Sequence, residues 1–188
     1  LDQPKPENKH SPMEDFKRLL VLPQVLAAYG IVGLSTLSAF SVIPNISSHV
    51  QHNLGYPRDG LGKLYFAGGI VSLVVMQLTG RGVDRFGSLP LTIIGVLGFV
   101  FTLWAGFIDN AAHIPVIGIF MLFMGMQSMR NISQTTLISK IPSPQERAGF
   151  MSIQSSVQHL ASACGSILSS AFLLEREGYL EGMDTVAE

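Results

Sequence analysis

Long uncharged apolar runs alternate with short charged stretches along this chain. No Asp, Glu, Lys or Arg falls within 19–48, 64–79 or 88–108. The run 114–138 holds one charge, Arg130, and 148–174 holds none, with His159 as its group that titrates near neutral pH. A helix needs roughly 20 mainly apolar residues to cross the hydrocarbon of a bilayer. In lipid the helix is favoured because it satisfies its own backbone donors and acceptors. The pattern therefore predicts an all-α membrane protein with five transmembrane helices, at about 20–43, 61–79, 89–108, 114–138 and 148–174. These runs are too long and too uniformly apolar for the strands of a membrane barrel, which alternate over about ten residues.

The charges between the runs set a direction, because lysine and arginine gather on the cytoplasmic side of spanning helices. Lys5, Lys9, Lys17 and Arg18 precede the first run, Arg81 and Arg85 separate the second from the third, and Lys140 and Arg147 separate the fourth from the fifth. That makes eight on one face, against Arg58, Lys63 and Arg176 on the other. The bias places residue 1 on the cytoplasmic side of a plasma (inner) membrane and the acidic tail 175–188 outside. The polar, proline-bearing segment 1–18 reads as a cytoplasmic linker. It begins at Leu1 and lacks the basic, apolar, small-residue order of a signal peptide, and we expect the chain to be a fragment of a longer protein.

Composition adds exclusions. Only 13% of residues are charged and 47% are hydrophobic, where a soluble domain has about 25% charged. A net charge of -1 gives no basic footprint for nucleic acid. Cys164 is the one cysteine, so neither an internal disulfide nor a cysteine-based zinc site is available. No G-x-x-x-x-G-K loop supports ATP as an energy source. No Gly-x-Ser-x-Gly or His-Glu-x-x-His context makes His159 and a serine into an intramembrane catalytic pair. We expect no enzyme activity, no metal and no cofactor.

The charged stretch GRGVDRFG, Gly80 to Gly87, lies between the second and third runs, and we read it as a short cytoplasmic turn. Its G-x-x-x-D-R-x-G order, carried by Gly80, Asp84, Arg85 and Gly87, resembles the signature loop of the major facilitator superfamily. That family often continues with two basic residues; Ser88 and Leu89 stand here instead, as in the weaker copy of the second half. The resemblance implies a major facilitator-like helical bundle in which the five spans are the seventh to eleventh helices of the family. It implies that an N-terminal six-helix half and a last helix lie outside the chain, 175–188 being the external loop that leads to that helix. The likeness is nearest to bacterial-type efflux members, sugar-efflux permeases and drug–proton antiporters.

The resemblance also gives the loop a role as a gate latch. Its aspartate, Asp84 here, would meet a helix N-terminus of the opposite half, where the positive end of the dipole favours a carboxylate. Arg85 would pair with Asp84 or with anionic lipid, while Gly80 and Gly87 would allow a tight turn. The fifth span presents the complementary end. Ser143-Pro144-Gln145-Glu146 has a capping-box form, with Ser143 as N-cap and Glu146 reaching back. An ordinary well-capped helix explains that pattern equally well.

Polar residues inside a span usually face protein or a water-filled cavity. Gln127, Arg130, Asn131 and Gln134 recur at helical spacing on one face of the fourth span. They line a pathway, or the amides bond to neighbouring helices and Arg130, about 12 Å from the cytoplasmic end, snorkels to the headgroups. His159, about 18 Å from the inner end, either carries a coupling proton or bonds as a neutral ring to another helix. Tyr29 and Thr36 share a face of the first span, whose counterpart in the family the resemblance makes a cavity helix, and are further candidates for the substrate or proton pathway. The third span, with little polarity, reads as lipid-facing support. The resulting expectation is secondary active transport of a small molecule, proton-coupled, by alternating access between two halves. A non-transporting multi-span scaffold is the alternative, and the polar face of the fourth span, which a scaffold does not need, separates the two.

Overall fold

The structure is a computed structural model, and it describes residues 21–108, 115–144, 146–172, 174–176 and 179–181. The linker 1–18 and the end of the tail lie outside the described residues. Helix α1 (Pro23–Val42) begins on a proline, whose missing N–H costs nothing in a first turn. A 3-10 turn at Ile43–Asn45, set by Pro44, passes the rod on to α2 (Ile46–His52). There follow α3 (Leu61–Phe86), α4 (Ser88–Leu103) with a π turn at Trp104–Ile108, α5 (Val116–Ile138) and α6 (Arg147–Phe172). Beyond α6, three-residue strands β1 (Leu174–Arg176) and β2 (Tyr179–Glu181) pair antiparallel, Leu174 opposite Glu181. The protein is an all-α membrane bundle to which this hairpin is a small addition that the apolar pattern did not indicate.

Three of the helical stretches, Pro23–His52, Arg58–Phe86 and Ser88–Gly106, are long and apolar enough to cross a membrane by those criteria alone. Helices α5 and α6 have 23 and 26 residues, also long enough at about 1.5 Å per residue. Their polar faces lower their hydropathy. The outer surface is apolar throughout the bundle: Phe66, Leu73, Leu97, Leu160 and Ile167 are all widely exposed. Such a surface is stable against hydrocarbon and would be a liability in water.

One expectation needs correction. GRGVDRFG is not a turn but the last two turns of α3, which runs unbroken to Phe86. Gly87 alone, at φ +87, breaks the helix before α4 begins at Ser88. A left-handed backbone of this kind is where glycine is favoured. Gly80 has no such task, since it is helical and a Cβ there would meet nothing within 4 Å. The charges failed to mark a loop because nothing between Gly80 and Phe86 forbids a helix.

Helices α1 and α6 form one closely packed pair, and α5 packs against both α3 and α4. Two apolar clusters lie at opposite ends of the bundle. Val25, Ala28, Tyr29, Val32, Ile138 and Phe150 close one end. Val42, Ile46, Leu64, Phe99, Phe120 and Phe123 belong to the cluster at the other. The α1–α6 contact depends on Gly165, where an added Cβ would lie 2.6 Å from the Leu37 carbonyl oxygen. Close backbone approach over small residues is the usual way spanning helices associate. One turn on, Asn45 Nδ2 donates to Ser169 Oγ at 2.7 Å across the same seam. Gly165→Val should therefore destabilise the bundle by about 1–3 kcal/mol, the usual cost of overpacking, measurable as a lowered thermal unfolding midpoint in detergent.

Candidate functional site

Between the two apolar clusters the bundle opens into a polar cavity of about 260 Å³, walled by α1, α5 and α6. The fourth-span residues expected from helical spacing meet there: Gln127, Arg130, Asn131 and Gln134 all line it. Thr36 and Phe40 face them from α1, and Gln158, His159 and Ser162 from α6. The residues named from sequence on three different helices thus converge on one space.

Arg130 is 6% exposed, so the snorkelling alternative does not hold for this side chain. Its Nη2 donates to the Ser35 carbonyl oxygen on α1 at 3.1 Å and to Gln127 Oε1, one turn back, at 2.7 Å. Its guanidinium carbon lies over the Phe99 ring, 4.1 Å from the centroid. A cation over an aromatic face gains about 0.5–2 kcal/mol. Among the described residues no carboxylate pairs with Arg130. A cation at the centre of a spanning helix costs about 2.5–3.5 kcal/mol, so the carbonyl, the amide and the ring offset much of that cost without neutralising the charge.

Two other polar walls differ from each other. Gln134 is 6% exposed and its Nε2 finds no acceptor among the described residues. His159 is exposed on the cavity wall, and its ring makes no hydrogen bond to any described residue. The alternative of a ring bonded to a neighbouring helix finds no partner for His159 among the described residues. The serines of α6 mostly satisfy themselves. Ser152 donates to Ala148, Ser162 to His159 and Ser166 to Ser162, each to a backbone oxygen of its own helix, as hydroxyls in spanning helices commonly do.

Tyr29 does not belong to the site. Its hydroxyl donates to the Phe150 carbonyl at 3.3 Å and its ring packs 5.0 Å from Phe150, inside the end cluster. It shares a face with Thr36 but sits two turns away along the axis, where α1 and α6 are in contact. Phe99 is the residue that sequence reasoning missed. The third span reads as apolar support, and nothing in its sequence marks one phenylalanine as the platform for a cation. Gly95, one turn earlier, lets that platform approach: a Cβ there would stand 2.7 Å from the Arg130 backbone nitrogen.

The signature residues sit at the far end of α3, away from the cavity lining. Asp84 and Arg85 are both exposed and form no ion pair with each other; Arg85 lies instead over the Phe86 ring, 5.3 Å from its centroid. Asp84 is thus presented on a helix with no partner among the described residues. The start of α6 carries the other expected feature. Glu146 Oε2 accepts from the Ser143 backbone N–H at 3.3 Å and from its hydroxyl at 2.6 Å, while the Ser143 carbonyl accepts the Glu146 N–H at 3.1 Å. The carboxylate reaches back as a capping box requires, and the serine hydroxyl donates to it. Regular helix begins at Arg147, later than Pro144 led us to expect.

Among comparisons with known proteins, the family model described as Major Facilitator Superfamily matches residues 28–179. No curated protein and no solved structure matches the chain.

Proposed function

The chain belongs to the major facilitator superfamily, an integral membrane family of transporters, and from that premise we propose that it is a proton-coupled secondary carrier of a small molecule. The observation that carries the reading is the polar cavity at mid-height between α1, α5 and α6. Secondary carriers hold their cargo near the bilayer midplane, between two halves that rock about it. In this proposal the cavity is one wall of the binding site, and an opposing six-helix half supplies the other. A scaffold would have no use for a buried arginine, four amides and a histidine gathered around one space. The lining carries one guanidinium, Arg130, and one imidazole, His159, and of the two only the imidazole has a ring nitrogen that can both accept and donate a proton. It is the group we assign to coupling. Direction, efflux as in the bacterial drug–proton antiporters or uptake, follows from the gradient that the protein meets.

Asp84 is the second element of the proposal. Exposed on the last turns of α3 and without a partner among the described residues, it is offered to a helix N-terminus of the opposing half as a latch on the cytoplasmic side. Asp84→Asn in the complete protein should lower transport roughly tenfold, the weight of a lost charge–dipole contact of about 1–2 kcal/mol. Insertion and thermal stability should be unchanged. The assay is flux of a radiolabelled solute panel in vesicles under an imposed pH gradient. Normal flux by the variant would remove the latch; no gradient-driven flux of any solute by the parent protein would remove the carrier.

A further inference from the structure

We infer that the cargo carries an oxyanion, a carboxylate or phosphate group, which docks between Arg130 and Gln134; this rests on the reading of the cavity as a cargo site. Three observations converge on it. Arg130 is buried and holds a full positive charge with no carboxylate among the described residues within reach. Both of its hydrogen bonds to described residues leave from Nη2, so its remaining N–H groups have no acceptor among the described residues. A guanidinium has five donors in a rigid fork that matches the two oxygens of a carboxylate or phosphate. The Ser35 carbonyl, the Gln127 amide and the Phe99 ring hold that fork still, so it is oriented before a ligand arrives.

Gln134 supplies the second donor. It lies four residues after Arg130, on the same face of α5, and its buried Nε2 has no acceptor among the described residues. An unsatisfied buried donor costs about 1–3 kcal/mol, and both this amide and the arginine line the same space. Among the described residues the cavity wall holds no Asp or Glu to repel an anion; its other polar groups are amides, hydroxyls and His159. Val32, Ala39 and Phe40 line the α1 side. The complement of such a wall is a small molecule with an anionic head and an apolar flank. A neutral or cationic cargo would leave the arginine and the amide unanswered.

The test uses the full-length protein in lipid nanodiscs and follows ligand-induced thermal stabilisation. The probes are matched pairs, benzoate with benzamide and glycerol 3-phosphate with glycerol. An anion should stabilise where its neutral counterpart does not. Arg130→Gln should weaken that anion about tenfold to a hundredfold, the range for losing a charged hydrogen-bonding partner. Arg130→Lys, which keeps the charge and loses the fork, should fall between. Gln134→Met should weaken the anion several-fold at similar side-chain volume. Should Arg130→Gln fail to fold, the lysine and methionine variants carry the test. If neither anion stabilises beyond its neutral partner, or if the variants weaken both members of a pair alike, the inference is overturned and Arg130 is assigned to a carboxylate elsewhere in the protein. Vesicle flux of a neutral solute that Arg130→Gln leaves intact would overturn the anion site and keep the carrier. Absence of any flux would overturn the carrier itself.

Discussion

A leucine in place of Gly95 should force α4 and α5 apart and take the site with them. The position is crowded by backbone, which cannot rotate away: a Cβ would stand 2.7 Å from the Arg130 nitrogen and 2.9 Å from its Cα. Inserting extra carbons into a packed interior commonly costs about 1–3 kcal/mol and sometimes more. A four-carbon side chain against main chain belongs at the upper end, about 3 kcal/mol or beyond. Because the displaced segment carries Arg130, the damage is not confined to stability. The guanidinium should lose its register with the Ser35 carbonyl and the Phe99 ring together. The thermal unfolding midpoint should fall sharply, and stabilisation by an anionic probe should vanish. Gly69 supplies the comparison. It is exposed, and a Cβ there meets nothing within 4 Å. Gly69→Leu should behave as the parent protein does in both measurements. Equal damage from the two leucines would mean that α4 and α5 do not approach as closely as Gly95 allows.

Removing the aromatic platform is the second large effect. Phe99 is 2% exposed, packs against Phe123 as a tilted pair with ring centroids 5.3 Å apart, and carries the Arg130 guanidinium over its ring. Phe99→Ala should cost about 3–5 kcal/mol through lost transfer energy and the cavity left behind. It should also free the arginine to swing. Phe99→Leu separates the two consequences. It retains most of the packing, so stability should fall by about 1–2 kcal/mol, while the π face is lost entirely. If the ring orients the charge, anion affinity in the leucine variant should drop nearly as far as in the alanine variant, read by thermal stabilisation at matched ligand concentrations. If affinity instead tracks stability across the two, the ring acts by volume alone.

Sequence and structure agree where periodicity carries the information. Gln127, Arg130, Asn131 and Gln134 advance at i, i+3, i+4 and i+7, which fixes one helical face whatever its surroundings. Polarity inside an apolar run says that this face meets something polar, and it does. What periodicity lacks is a coordinate along the helix axis. Tyr29 and Thr36 lie on one face of α1, yet the tyrosine falls within the seam closed by Phe150 and the threonine within the open part. No pattern in α1 alone distinguishes them, because the difference lies in what α6 places opposite. Phe99 was illegible for a related reason. A phenylalanine in an apolar run is indistinguishable from its lipid-facing neighbours until the partner helix supplies a cation. The end of α3 misled in the opposite sense. Charge density suggested a loop there, but in Gly80–Phe86 charged side chains hang on a continuous helix, and only the backbone of Gly87 records the break.

In the proposed carrier, the charge of Arg130, which meets no carboxylate among the described residues, would tie the protein to the membrane potential. In an alternating carrier the potential falls across whichever side is closed, so a fixed charge in the central cavity takes on the potential of the side to which it is open. One elementary charge is worth about 2.3 kcal/mol per 100 mV. An empty cavity holding Arg130 alone would therefore be pulled by voltage toward the orientation open to the negative interior. Bound to a monovalent anion, and with no coupling proton on His159, the same cavity would be nearly neutral and blind to voltage. The electrical bias would fall on the return of the empty carrier and not on the passage of cargo, leaving cargo movement to the chemical gradients.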